Sequence, residues 1–358
     1  DACLDGGSSE EKCTLKTIHG PTTLALVDAS ELSNEEMILA FLSEGGDDFV
    51  SGATVSDKLG LSRAGVWKHV EQLRKMGYAI EAIPSKGYRL VSVPDRLSSL
   101  ELTPLLDTRE FGRSIVYEPC VASTNSVAFK RAIDGAPHGE VVIADEQTAG
   151  RGRRGRSWVS PPGYNVYLSV VLRPEIDPAR APELTLLTAV AVAETLREAG
   201  VRASIKWPND LLVDGKKVGG ILTELSADVD RTAFVIVGIG INVNSSVDAF
   251  PVDVAQFATS LQMARGGEQV PRALLTAALL TKLETWFDTW TDEGFEPVRV
   301  AWKSLSATLG HEVLVRNDAR EVRGLAIDID ATGALLLECG GAVERIVSGD
   351  IELPRAKM

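Results

Sequence analysis

Cysteine and histidine are scarce in this chain, and their scarcity closes off several chemistries at once. The four cysteines, Cys3, Cys13, Cys120 and Cys339, form no CxxC pair and no regular framework. That argues against a metal knuckle or a disulfide-stapled fold and favours a reducing, cytoplasmic setting. Four histidines supply no evident Ser-His-Asp or Cys-His set, so no covalent nucleophile of the protein's own is expected. No apolar run approaches the length of a membrane span. The polar stretch Asp5-Gly-Gly-Ser-Ser-Glu-Glu lacks the charged front and apolar core of a secretory signal. Positive charge is in deficit too: 37 Lys+Arg against 50 Asp+Glu leave −13. That disfavours passive whole-surface binding to nucleic acid, and any such contact must come from a local basic patch. No internal repeat is visible.

What the chain does have is length for two or three domains, 358 residues with an ordinary 44% apolar content. Residues 1–30 read as a flexible extension. Over 31–93 the pattern is three helices and a hairpin. Ser33 caps a helix bearing Met37, Ile38, Phe41 and Leu42. A short second helix over 54–59 opens at Ser56 and stops at Gly60, and Ser62 caps a third over 63–76, closed by Gly77. Two strands, 79–83 and 87–91, flank the turn Pro84-Ser85-Lys86. This is a winged helix-turn-helix, whose third helix enters a major groove. Val66, Val70 and Leu73 point inward there, leaving Arg63, Lys68 and Arg74 to solvent. Over 57–91, Lys58, Arg63, Lys68, Arg74, Lys75, Lys86 and Arg89 outnumber Asp57, Glu71 and Glu81, a reversal of the chain's sign confined to that stretch. The reversal favours DNA over the protein contacts that some winged helices make. Arg63, Lys68 and Lys86 are the candidate DNA contacts.

Residues 96–306 mix strands (140–144, 165–172, 234–238) with helices (182–199, 271–290), an α+β layer expected to carry a ligand on its sheet. The aromatic stripe Trp286, Phe287 and Trp290 has helical spacing and reads as packing surface. Within 309–355, short runs over 312–316, 321–329 and 334–338 alternate with turns, the pattern of a small β-barrel.

The most informative stretch is Gly150-Arg151-Gly152-Arg153-Arg154-Gly155-Arg156-Ser157-Trp158. Four always-charged planar donors sit on a backbone loosened by three glycines, suited to phosphate or carboxylate and to close approach. A plain basic loop would need neither the regular glycines nor the tryptophan. Later comes Ile205-Lys206-Trp207-Pro208-Asn209-Asp210, then Asp214-Gly215-Lys216-Lys217-Val218-Gly219-Gly220-Ile221-Leu222-Thr223-Glu224, then Gly238-Ile239-Gly240-Ile241-Asn242-Val243-Asn244. Lys206, taken alone, is a surface lysine at a strand end. Beside the arginine loop it is a fixed cation for converging anions. Ser123-Thr124-Asn125 is by itself a helix cap, and a cap beside a pocket also offers hydrogen bonds to a ligand.

GRGRRGRSW, KWPND, GKKVGGILTE and GIGINVN, in this order and at these spacings, resemble the biotin–protein ligases. The winged helix in front resembles their bifunctional type, which also represses the biotin operon. The resemblance covers about 35–353. It implies an N-terminal winged helix-turn-helix, a central α/β catalytic domain of the biotin/lipoate ligase type and a C-terminal SH3-like β-barrel bordering the active site. The implied reaction joins biotin and ATP, with Mg2+, into biotinyl-5′-adenylate, then passes biotin to a lysine of a biotin carboxyl carrier protein. Lys206 would contact the biotin carboxylate and the α-phosphate. The loop 150–156 would be open in the free protein and fold over the adenylate, Gly150 and Arg151 at the biotin end and Arg153 at the phosphate end. Arg154 and Arg156 would shape the closed loop, and Trp158 would face the adenine. Ser123, Thr124, Asn125 and Gln147 match the ureido contacts, and Gly219 would allow close approach. Asn209 and Asn242 would serve the nucleotide or its magnesium, and Asp210 would bind magnesium or order the loop. Partners implied are operator DNA and a second copy of the chain once adenylate is bound, with no membrane. Two rivals stay open: a lipoate-type ligase, and a biotin-sensing regulator that has lost its chemistry.

Overall fold

Ser33 accepts a hydrogen bond from the backbone N–H of Glu36 at 3.2 Å, and the Glu36 carboxylate accepts one from the Ser33 N–H at 2.8 Å. This reciprocal cap opens α1 (Asn34–Glu44). The computed structural model describes residues 33–227, 232–317 and 320–353, so the extension expected over 1–30 lies outside the described residues. Helix α2 (Gly52–Leu59) starts earlier than its sequence suggests, because Ser51 rather than Ser56 takes the cap, accepting from Thr54 N–H at 3.0 Å. Ser56 is buried inside the helix instead. Gly60 ends α2 with φ at 63°, a left-handed value that suits glycine. Ser62 caps α3 (Arg63–Lys75), and β1 (Ala79–Ile83) pairs antiparallel with β2 (Gly87–Ser92) to make the wing. Val66, Val70 and Leu73 join Ile38, Leu42, Val55, Tyr78 and Ile80 in a core of their own. Arg74, expected in solvent, is half-buried, because its guanidinium bonds the Ile80 carbonyl in β1.

Short α4 (Ser99–Leu102) follows the linker. The central unit then runs β3 (Ile115–Val121), α5 (Thr124–Ile133), β4 (Val141–Gln147), β5 (Val166–Leu172), α6 (Ala181–Glu198), β6 (Ala203–Lys206), β7 (Asp210–Val213), β8 (Lys216–Ala227) and β9 (Thr232–Ile241). These strands form one sheet in the order β3-β4-β5-β9-β8-β7-β6, antiparallel except where β3 meets β4. Strand alternation sorts its two faces. Val141, Ile143, Val170, Val235 and Val237 face α6, α9 (Arg272–Glu293) and α10 (Glu296–Leu305), which follow the one-turn helices α7 (Val252–Ala255) and α8 (Leu261–Ala264). Val142, Val171 and Ile236 face α5 on the other side. Helix α10 buries Val298, Trp302 and Leu305 at helical spacing.

The terminal unit is an antiparallel sheet of β10 (Glu312–Arg316), β11 (Glu321–Ile329), β12 (Leu335–Cys339), β13 (Ala342–Ile346) and β14 (Asp350–Glu352), ordered β13-β12-β11-β10-β14. Its apolar residues belong to the same cluster as the central sheet. Trp207 sits at the join, its ring N–H donating to the Gly333 carbonyl at 3.1 Å and its backbone N–H to Thr308 Oγ1 at 2.9 Å.

Two polar contacts tie the winged helix and its linker to the rest. The Tyr78 hydroxyl donates to Glu101 of α4. Arg272, whose side chain is 1% exposed, donates from Nε to Asp95 Oδ2 in the linker at 2.9 Å and from Nη1 to the Asn165 carbonyl at 3.0 Å. The same Nη1 reaches Asp145 of β4 at 3.2 Å.

Candidate active site

The cleft lies on the α5 side of the sheet, where glycines replace side chains. Gly220 of β8 is paired in register with Gly240 of β9, and Leu222 with Gly238. A Cβ on Gly238 would lie 2.0 Å from Asn125 Oδ1, and one on Gly240 would lie 2.7 Å from the Trp158 ring. The floor is therefore flat because any larger residue would strike what stands on it. Gly219, the expected close-approach residue, faces the other way: it pairs with Ile241 of the core, and its neighbour Gly220 lines the cleft. One residue of strand register accounts for the correction.

One end of the cleft is a polar lattice. Ser123 precedes α5 but makes no cap bond to it, and it lines the cleft. Gln147, at the end of β4, accepts from the Thr124 backbone N–H at 2.9 Å and from Thr124 Oγ1 at 3.2 Å, and donates to Ser160 Oγ at 3.0 Å. Asn125 donates to Glu224 Oε2 at 2.7 Å and accepts from Ser169 Oγ at 2.6 Å. With its amide oxygen and one amide hydrogen engaged, Gln147 keeps a second N–H to offer, and the Ser123 hydroxyl can donate or accept. Such a wall suits a small ligand carrying both N–H and C=O groups.

The other end is cationic. Arg151 reaches back over the lattice, donating to Ser126 Oγ at 3.2 Å and Glu224 Oε2 at 3.0 Å. Arg153 is partly buried and donates to Asn209 Oδ1 at 3.2 Å and to the Gly349 carbonyl at 3.3 Å. Burial pushes the Arg153 guanidinium below its usual range, yet a guanidinium remains charged at any working pH. Arg156 pairs with Asp350 at the start of β14. Arg154 turns away from the cleft to the Arg316 carbonyl at 3.3 Å and Asp350 Oδ2 at 3.4 Å, with a left-handed φ of 55°. Gly150 lies behind the wall, where a Cβ would strike the Trp158 carbonyl at 2.4 Å. Trp158 itself lies over Gly240, with Lys217 Nζ 5.3 Å from its ring centre.

Lys206 ends β6 with its ammonium 3.9 Å from Asp210 Oδ2, and Lys217 sits 2.6 Å from Asp210 Oδ1. Burial lowers the Lys206 pKa, with Asp210 pulling the other way. A partly desolvated cation of this kind gains more from a bound anion than an exposed one would. Asn209 lines the cleft while its amide donates to the Ile221 carbonyl at 2.8 Å. Asn242, expected to reach the nucleotide, does not line the cleft. It is buried just past the end of β9 and donates to the Thr259 carbonyl at 3.0 Å. Sequence reasoning left Lys217 and Asp350 without a role, although both line the cleft. The GKK run advertises the first. Nothing near Asp350 advertises the second, because its arginine partner lies almost two hundred residues away.

In the winged helix, Arg63, Lys68 and Lys86 are all exposed, the first two on α3 and the third at the wing turn.

Residues 117–242 match the model of the biotin/lipoate A/B protein ligase family, 34–89 match a helix-turn-helix domain, and 308–353 match the C-terminal domain of biotin protein ligases. The chain is 43% identical over 317 residues to the bifunctional ligase/repressor BirA of Bacillus subtilis, spanning 88% of this chain and 97% of that protein. It is 36% identical over 326 residues to BirA of Escherichia coli, spanning 89% and 97%. The Aquifex aeolicus biotin protein ligase in complex with biotin and ATP superposes with a TM-score of 0.58 at 29% identity, covering 68% of this chain and 100% of that one. All three units described above thus have counterparts, and the chain belongs to the bifunctional biotin ligase/repressor family.

Proposed function

We propose that the protein activates biotin with ATP to biotinyl-5′-adenylate, transfers biotin to a lysine of a biotin carboxyl carrier protein, and represses transcription through its winged helix. The observation that carries the enzymatic part is one cleft with two unlike ends. A lattice of Ser123, Thr124, Asn125 and Gln147, with Arg151 reaching over it, faces a cluster of Arg153, Arg156, Lys206 and Lys217 across a floor of glycine. Biotin has that same polarity, a ureido ring at one end and a carboxylate at the other.

In the first step a biotin carboxylate oxygen attacks the α-phosphorus of ATP, the P–O bond to the β-phosphate breaks, and pyrophosphate leaves. Two anions must meet for this, and Lys206 together with Arg153 neutralises them as they do. In the second step the neutral ε-amine of the acceptor lysine attacks the acyl carbon, AMP leaves, and the amine's proton passes to solvent. The protein's work in both is positioning and charge. The arginine loop, latched to the terminal unit through Asp350 and the Gly349 carbonyl, covers the mixed anhydride and keeps water from it. Trp158 offers the adenine a flat face. Magnesium enters with ATP: among the described residues no group of three His, Cys, Asp or Glu is placed to hold a metal. Phosphate oxygens and the carboxylate of Asp210 fit the ion's usual demands.

For the repressor part, the exposed cations of α3 and the wing are the supporting observation. Two copies brought together on adenylate binding would place two α3 helices on two half-sites.

Mass spectrometry of a carrier domain mixed with the protein, biotin and ATP tests the enzyme. A gain of one biotinyl group on one lysine is expected. An unmodified carrier would leave a sensor without chemistry, and modification by lipoate in preference to biotin would leave the lipoate-type ligase.

A further inference from the structure

The outer face of α3 carries a residue that charge does not explain. Trp67 is 58% exposed, four residues after Arg63 and next to Lys68, on the side away from Val66, Val70 and Leu73. Arg63, Ala64 and Lys68 beside it are exposed, and Glu71, one turn further on, is paired with Arg74. No ring or cation packs on its indole among the described residues. A tryptophan left in water gains most by being covered in a complex, and the cations beside it indicate a polyanion as the cover. Arg63 and Lys68 have no carboxylate within ion-pair distance among the described residues.

Resting on the reading of α3 as the groove-entering helix, we propose that Trp67 is a base-reading residue selecting thymine in each operator half-site. The chemistry of the two partners matches. An indole has an apolar body and a single N–H donor with no acceptor. In the major groove, thymine alone of the four bases presents an apolar group, its 5-methyl, and does so beside an acceptor, O4. Cations can hold α3 on the phosphates without choosing a sequence, whereas Trp67 chooses. Its place in the first turns of α3 is where a recognition helix meets base edges.

The test needs no known operator. The full-length protein, with biotin and ATP, selects duplexes from a random library; the same selection is run with Trp67→Ala and Trp67→Phe. The wild type should enrich paired half-sites containing a fixed thymine column, Trp67→Ala should lose that column while keeping the others, and Trp67→Phe should keep it weakly. On the enriched site, Trp67→Ala should bind about ten- to a hundredfold more weakly. Replacing that thymine by deoxyuracil removes only the methyl. It should weaken wild-type binding by about three- to fivefold, the size of one buried methyl group, and leave Trp67→Ala unchanged. An equal loss in both proteins overturns the proposal and leaves DNA binding standing. Enrichment of no sequence by the wild type overturns the DNA reading and the proposal together. A Trp67→Ala protein that keeps the thymine column but no longer dimerises in sedimentation also overturns it, by making a second copy of the chain the occupant. Because Trp67 lies outside the winged-helix core, the substitution should leave thermal unfolding and ligase activity unchanged.

Discussion

In the winged helix, Arg74 and Arg89 pair with Glu71 and Glu81, but Arg63, Lys68 and Lys86 have no carboxylate within ion-pair distance among the described residues, whereas in the cleft Arg151, Arg156 and Lys217 each rest on one, Glu224, Asp350 and Asp210. The packing differs in the same sense. The winged helix has a core of its own, and the central and terminal units share one. A surface that must find a long polyanion keeps its charge open to long-range attraction and releases counterions when it binds. A site that must close on one small ligand stores its cations against nearby carboxylates, so that only an anion as strong as phosphate repays the exchange.

The hardest blow to this comparison falls on the side chain that joins the two regions. Arg272→Ala leaves Asp145 and the Asn165 carbonyl without their buried partner and should cost about 3–5 kcal/mol of stability, read from the denaturant midpoint. An unchanged midpoint would mean that the two regions are stabilised separately.

Within the cleft, Lys206→Ala should slow adenylate formation by roughly two to three orders of magnitude, followed as pyrophosphate release, with biotin binding weakened less. Wild-type release would remove Lys206 from the chemistry. Its pH behaviour sharpens the point. Burial lowers this lysine's pKa, so its charge is lost on the alkaline side earlier than an ordinary lysine's. The kcat/KM for biotin activation should therefore fall with rising pH below the usual lysine value, and Lys206→Arg should move that fall upward.

Arg153→Ala removes two bonds that latch the loop. Adenylate should form more slowly and also dissociate about tenfold faster, the size of one charged hydrogen bond, and label lysines of bystander proteins. A wild-type dissociation rate would take the latch out of the mechanism. The smallest effect is expected on the DNA side. Lys86→Ala should lower the salt slope of operator binding by about one unit and leave ligase activity alone. An unchanged slope would mean that the wing does not touch phosphate.

These residues were legible in the sequence to different degrees, for physical reasons. Lys206, Arg151, Arg153, Ser123 and Gln147 are chemistry-bearing types held at motif spacing, and the cleft gathers all five. The helices of the winged domain were legible through serine caps and an apolar stripe, although Ser51 outcompeted Ser56 by standing before the first free N–H groups. Gly219 and Asn242 do not line the cleft, because a motif names a stretch while strand register turns Gly219 to the core and the chain after β9 buries Asn242 against Thr259. Asp350 could not be seen at all, since only the packing of β14 against the arginine loop brings it near Arg156.

In the dimer proposed above, Arg272 would also make the protein a measuring instrument. Linkers between domains are ordinarily swivels, but here the linker's Asp95 is gripped by a guanidinium sunk in the catalytic body, so the reading head is mounted on a bracket. Two such molecules side by side would act as a caliper of fixed jaw. Each base pair inserted between half-sites turns one of them by about a tenth of a helical turn, and a braced linker has little slack to follow it. For that dimer, the distance between half-sites would then be part of the message, alongside the letters within them.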